Sequence, residues 1–122
     1  MQKKSKKILV VDDEKAMTKA LTLKLTAKGY AVRTASRGVE ALVLLKKEPF
    51  DLVLLDIIMP TVDGFMVLEE MKKNGIKTPV IILSSLEQEE DKKRAKALGV
   101  REFFTKSSTS LLDLVEYVQK IV

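Results

Sequence analysis

The chain contains no cysteine and no histidine. The first absence excludes a disulfide framework, thiol catalysis and thiolate metal sites, and it fits a reducing compartment. The second removes imidazole both as a general base and as a metal ligand. No apolar run exceeds five residues, far short of the roughly 18 needed to span a membrane. The start, Met1-Gln2-Lys3-Lys4-Ser5-Lys6-Lys7, has the charge of a signal n-region, but Ile8 to Val11 is too short an apolar core for one. A cytoplasmic protein without a membrane partner is therefore expected. Residues 1–7 read as a frayed basic tail ahead of a domain at 8–122.

What is present bounds the class. A chain of 122 residues suffices for one domain with a real core and is too short for two. With 46% hydrophobic and 32% charged residues it has a globular composition, not a disordered one. The net charge of +5 raises the question of nucleic acid. Its lysines, however, are scattered over Lys46-Lys47, Lys72-Lys73 and Lys92-Lys93-Arg94, without interleaved aromatics or a DNA-reading motif. They read as solvated helix faces, and no direct nucleic-acid contact is expected.

The organising stretch is Asp51-Leu52-Val53-Leu54-Leu55-Asp56. Four aliphatic residues without alternation predict a strand buried on both faces, as in a parallel sheet. A carboxylate directly after it is costly unless the strand is emerging there, which sets Asp56 at the sheet's carboxyl edge. Taken alone, Asp56 has a second reading as a loop cap. Ile8 to Val11 repeats the pattern and ends in Asp12-Asp13-Glu14, and Val80 to Leu83 repeats it into Ser84-Ser85. Ala31 to Ala35 is a more polar strand suited to an edge, and Val100 to Thr105 is a fifth, followed by Lys106.

Helical signals separate these strands. Met17, Leu21 and Leu25 precede Gly29, and Val39, Leu42 and Leu45 fall on one side of the next helix. Asp63 can cap a helix bearing Phe65, Leu68 and Met71, which stops at Asn74-Gly75. Ser85 with Gln88, and Ser110 with Asp113, have capping-box spacing for the last two helices. Strict alternation with short connections predicts an α/β fold, a doubly wound five-stranded parallel sheet with helices on both faces.

Ligands bind such sheets at the carboxyl ends of the strands. Asp12 and Asp13, Asp56, Ser84 and Lys106 all fall there. Each has an ordinary explanation alone; their convergence does not. Three carboxylates sharing a pocket repel and call for a cation, and an open oxygen-rich rim suits Mg²⁺. An ionised Asp needs no base to attack a phosphoryl group, and Ser84 and Lys106 are suitable donors to its oxygens.

The segments Val10-Val11-Asp12-Asp13-Glu14, Leu55-Asp56-Ile57-Ile58-Met59-Pro60 with Asp63-Gly64, Ile82-Leu83-Ser84 and Thr105-Lys106 resemble the motifs of response-regulator receiver domains. The likeness covers residues 8 to 121. It implies a flavodoxin-like (βα)5 fold with strand order 2-1-3-4-5. It implies a phosphorylation-dependent switch in which Asp56 accepts a phosphoryl group from a histidine kinase or phosphotransfer protein. Asp12, Asp13, Asp56 and the backbone carbonyl of Ile58 would surround Mg²⁺, and Ser84 and Lys106 would meet the phosphoryl oxygens. Phe103 falls at the family's aromatic switch position, although a plain core aromatic is an equal reading. The output would be a reshaped face over residues 87 to 122, engaging a downstream protein or a second copy. By the same resemblance, Ile58 and Leu86 would flank the phosphoryl group.

Three departures stand out. Ser107 follows Lys106 where the family usually has proline, so a trans bond is expected there, since cis before a non-proline residue costs about 2.5–4 kcal/mol. Ser85 replaces a common alanine, and the last helix has no arginine. Two other classes compete. A haloacid-dehalogenase-type phosphatase needs a second carboxylate two residues after its nucleophile, where this chain has Ile58. A flavodoxin-type module needs a Ser/Thr/Gly-rich first loop, where this chain has Asp12-Asp13.

Overall fold

A computed structural model describes residues 5–122. The strands are Lys7–Val11 (β1), Ala31–Ala35 (β2), Leu52–Leu55 (β3), Val80–Ser84 (β4) and Glu102–Thr105 (β5). They alternate with helices Lys15–Ala27 (α1), Gly38–Lys47 (α2), Gly64–Lys73 (α3), Glu89–Ala97 (α4) and Leu111–Ile121 (α5). All strand pairs are parallel and the order is β2-β1-β3-β4-β5, as the resemblance implies.

The unalternated apolar runs are explained by two cores, one on each side of the sheet. Leu9, Val11, Val53, Leu55, Val80 and Ile82 face α2, α3 and α4, meeting Ala41, Leu45, Phe65, Leu68, Met71 and Ala95. Ile8, Val10, Leu52, Leu54, Ile81 and Leu83 point the other way, onto Leu21, Leu25, Leu114, Val115 and Val118 of α1 and α5. Successive strand residues alternate sides, so only an apolar residue at every position fills both cores. Each fully buried aliphatic side chain contributes on the order of 1.5–3 kcal/mol, an upper bound that depends on the unfolded reference. Strand β2 is the exposed edge, its Arg33 reaching Glu48 at 3.6 Å.

Local signals fix the helix ends. Asp63 Oδ1 accepts from the Met66 N–H at 2.9 Å, and Ser110 Oγ accepts from the Asp113 N–H at 3.1 Å, each at its helix's N-cap. Past α1, Gly29 takes φ +94°, a left-handed conformation that stops the helix without a Cβ penalty.

The structure corrects four local expectations. Ser85 and Gln88 form no capping box. Ser84 Oγ accepts the Leu86 N–H at 3.3 Å, the chain leaves β4 as a loop, and α4 starts at Glu89. Its opening acids Glu89, Glu90 and Asp91 suit the helix dipole instead. Val39 is 54% exposed, because α2 turns Gly38, Ala41 and Leu45 inward. Gly38 comes so close to Val62 that an added Cβ would sit 2.6 Å from its carbonyl oxygen. The fifth strand is shorter than Val100 to Thr105. Lys7 already pairs with Ala31 in β1, so it is no part of a frayed tail, and residues 1–4 of that expected tail lie outside the described residues. No described helix is long and apolar enough to cross a membrane.

Candidate functional site

The site is built by register. Val11 and Leu55 are partners at the ends of neighbouring strands, so Asp12 and Asp56 leave the sheet side by side. The ladder continues one step beyond the strands: Asp12 N–H donates to the Ala35 carbonyl at 3.1 Å, and Asp56 N–H to the Val11 carbonyl at 2.9 Å. Both side chains are buried, with residues 3% and 4% exposed, while Asp13 stands on the open rim. One oxygen from each of these three carboxylates lies within 4.8 Å of the others.

Lys106 closes the pocket from β5, its backbone N–H donating to the Ser84 carbonyl at 2.8 Å. Its Nζ lies 2.7 Å from Glu14 Oε1, 2.9 Å from Asp12 Oδ2 and 3.3 Å from Asp56 Oδ2. An ammonium has three donors, and all three are engaged. The remaining oxygens of the buried pair take backbone donors: Glu14 N–H to Asp12 Oδ1 at 2.9 Å, Ile58 N–H to Asp56 Oδ1 at 3.2 Å. Asp13 has no hydrogen bond or ion pair among the described residues.

The electrostatics follow. Burial, and then the charge of Asp12, push the Asp56 carboxyl above the ordinary aspartate range, against the opposing pull of Lys106 and the Ile58 N–H. Burial works against the Lys106 charge, but Glu14, Asp12 and Asp56 together hold the ammonium above the ordinary lysine range. The pocket thus carries an excess of negative charge and only oxygen donors. That donor set, with one carboxylate open to water, fits a hard divalent ion that takes one or two carboxylates directly and keeps its other waters.

The loop beneath Asp56 is tightly constrained. Val62 N–H donates back to the Pro60 carbonyl at 2.8 Å, forcing Thr61 to φ +68°, a strained value for a β-branched residue. This turn brings α3 in so closely that Gly64 N–H bonds the Ile57 carbonyl at 2.8 Å.

Of the sequence-predicted residues, the structure brings Asp12, Asp13, Asp56 and Lys106 into one cluster. Ser84 is fully buried at the adjacent strand end. Ile58 follows with its side chain 49% exposed, and its N–H on Asp56. Phe103 is buried within the core on the α2–α4 side. The Lys106–Ser107 bond is trans, and Ser107 Oγ donates to Glu87 Oε1, tying the β5–α5 loop to the β4–α4 loop. Sequence reasoning gave Glu14 no role. An acid at a helix start reads as a cap, and its partner Lys106 lies 92 residues away. A groove of about 320 Å³ at the opposite edge, between the ends of α3 and α4, has no carboxylate in its lining.

Residues 8–119 match the model of the response regulator receiver domain. The chain belongs to that family. Receiver domains are signalling domains of two-component systems, and nothing in these likenesses supports the phosphatase reading. The chain is 40% identical over 106 residues to a probable transcriptional regulator, ycf27, of Porphyra purpurea, covering 87% of this chain and 43% of that protein. It spans less than half the length of such relatives. A Francisella response regulator receiver domain is 33% identical with a TM-score of 0.89, covering 96% of each chain. The response regulator TrrA of Thermotoga maritima, solved in complex with Mg²⁺-BeF, is 34% identical with a TM-score of 0.83, covering 96% of this chain and 99% of that one.

Proposed function

We propose that this receiver domain is switched by phosphorylation of Asp56, with a histidine kinase or phosphotransfer protein as donor. One observation carries the reading: a buried carboxylate at the end of the central strand shares its pocket with two acids and a lysine. An Asp56 oxygen attacks the donor's phosphorus, the donor P–N bond breaks, and an acyl phosphate forms with its negative oxygens at the rim. Lys106 then exchanges a carboxylate partner for a phosphoryl oxygen, to which it donates a charge-assisted hydrogen bond. Mg²⁺, held by Asp13, Asp56 and the Ile58 carbonyl with Asp12 close by, would offset the charge of the incoming phosphoryl oxygens. No turnover of an external substrate is needed, and the domain acts in the cytoplasm as a switch, not an enzyme.

The output side is supported by how lightly α4 is held. This helix buries Ala95 alone, and its Arg94 reaches Glu69 at 3.3 Å and lies 4.1 Å from the centre of the Phe65 ring. An element with so few buried apolar contacts moves at low cost. On this reading the Ser84 hydroxyl leaves the Leu86 N–H for the phosphoryl group, the β4–α4 loop follows, and Phe103 adjusts beside it. The reshaped surface over residues 87–122 meets a downstream protein or a second copy. Incubation with acetyl phosphate and Mg²⁺ tests this: a stable, stoichiometric phosphoprotein is expected. Sustained hydrolysis of p-nitrophenyl phosphate without one would sink the reading.

A further inference from the structure

Glu14 occupies the N-cap of α1, yet its side chain caps nothing there. It is 58% exposed and reaches across the pocket to Lys106 Nζ at 2.7 Å, the shortest of that ammonium's three contacts. Asp12 and Asp56 belong to the cluster of three carboxylates able to hold a metal; Glu14 does not. Lys106 and a divalent cation are therefore rivals for the same two buried carboxylates. Two cations against one pair of carboxylates repel strongly in a poorly screened site. The ammonium must loosen its hold on Asp12 and Asp56 when the cation enters, and Glu14 is the one partner it can keep.

We propose that Glu14 is a positioning residue that receives Lys106 when Mg²⁺ occupies the acidic cluster. It lowers the cost of separating Lys106 from Asp12 and Asp56, and so strengthens Mg²⁺ binding. It also keeps the ammonium at the rim, within reach of an arriving phosphoryl oxygen. This rests on the reading of the cluster as a Mg²⁺ site and concerns a residue outside that cluster.

Negative charge alone would also favour Mg²⁺, so the test separates charge from reach. Mg²⁺ affinity of the unphosphorylated protein is measured by calorimetry or amide chemical shifts for the wild type, Glu14→Gln and Glu14→Asp. Aspartate keeps the charge but is one methylene too short for Nζ. Both variants should bind Mg²⁺ about threefold more weakly, the scale of a partly exposed ion pair. In a Lys106→Met background the rival is gone, and Glu14→Asp should then make no difference. Wild-type affinity in Glu14→Asp, or an equal loss in the Lys106→Met background, would overturn the role of reach. Absence of Mg²⁺ binding by the wild type would overturn the site reading itself and this inference with it.

Discussion

A Cβ placed on Gly64 would stand 2.6 Å from the backbone carbonyl oxygen of Asp56. The first residue of α3 thus sets how closely that helix packs beneath the pocket, and backbone against backbone leaves no flexible group to yield. Gly64→Ala should cost about 1–3 kcal/mol, the usual range for overpacking. It should also displace the Asp56 carbonyl and slow phosphorylation. Urea melts and acetyl phosphate kinetics check both effects; an unchanged midpoint would show that the α3 contact is slack.

Asp56 titrates higher in the folded chain than in the unfolded one, because burial and Asp12 disfavour its charge. The folded state therefore binds that proton more tightly. The resulting stability is present below the unfolded pKa and is lost as pH rises through the folded one. At neutral pH the charged carboxylate is a net liability. Asp56→Asn should accordingly raise Tm at about pH 7, by on the order of 4 °C per kcal/mol gained. The gain should shrink towards about pH 3.5, where the wild-type carboxyl is protonated. A lower Tm for the variant at neutral pH would contradict this account of the pocket.

Much of this was legible in the sequence, for physical reasons particular to each element. Ile8 to Val11, Leu52 to Leu55 and Val80 to Leu83 announce themselves because a strand covered on both faces tolerates no polar position. Asp63 and Ser110 were readable as caps because their partners lie three residues on. Val39 misled because three aliphatic residues at helical spacing do not say which of two neighbouring stripes faces inward. The small residues Gly38 and Ala41 decide that by letting α2 come close. Ser85 misled because capping-box spacing does not by itself place a helix start: the chain leaves β4 as a loop through Gln88, and α4 begins only at Glu89. Glu14 was invisible, since a contact between the first and last strand–helix loops leaves no local pattern.

A two-state receiver shifts only as far as its phosphoryl group contacts one state better than the other. Ser84, buried and bonded to the Leu86 N–H, is placed to supply that difference. Ser84→Ala should still accept phosphate but show smaller chemical-shift changes over residues 87–122. Shifts equal to those of the phosphorylated parent would remove Ser84 from the coupling.

The lifetime of the phosphorylated form should be long. Hydrolysis needs a water in line with the phosphorus, and the pocket offers no obvious base for one. Ile58, half exposed beside Asp56, is an aliphatic wall on one approach; Leu86 is partly buried and packs on the α2–α4 side core. Ile58→Asn should therefore speed decay more than Leu86→Glu under equal Mg²⁺. Radiolabel decay that is unchanged or slower in both would show that neither side chain shields the phosphoryl group.

The central claim is that Asp56, and not another acid of the cluster, carries the phosphoryl group. Asp12, Asp13 and Asp56 converge within 4.8 Å, so only site-resolved chemistry distinguishes them. The decisive measurement is peptide mass spectrometry after acetyl phosphate and Mg²⁺, on the wild type and Asp56→Asn. A single adduct on Asp56 in the wild type, absent from a folded Asp56→Asn variant, is the predicted result. Undiminished phosphorylation of that variant, or an adduct on Asp12 or Asp13 in the wild type, would contradict it.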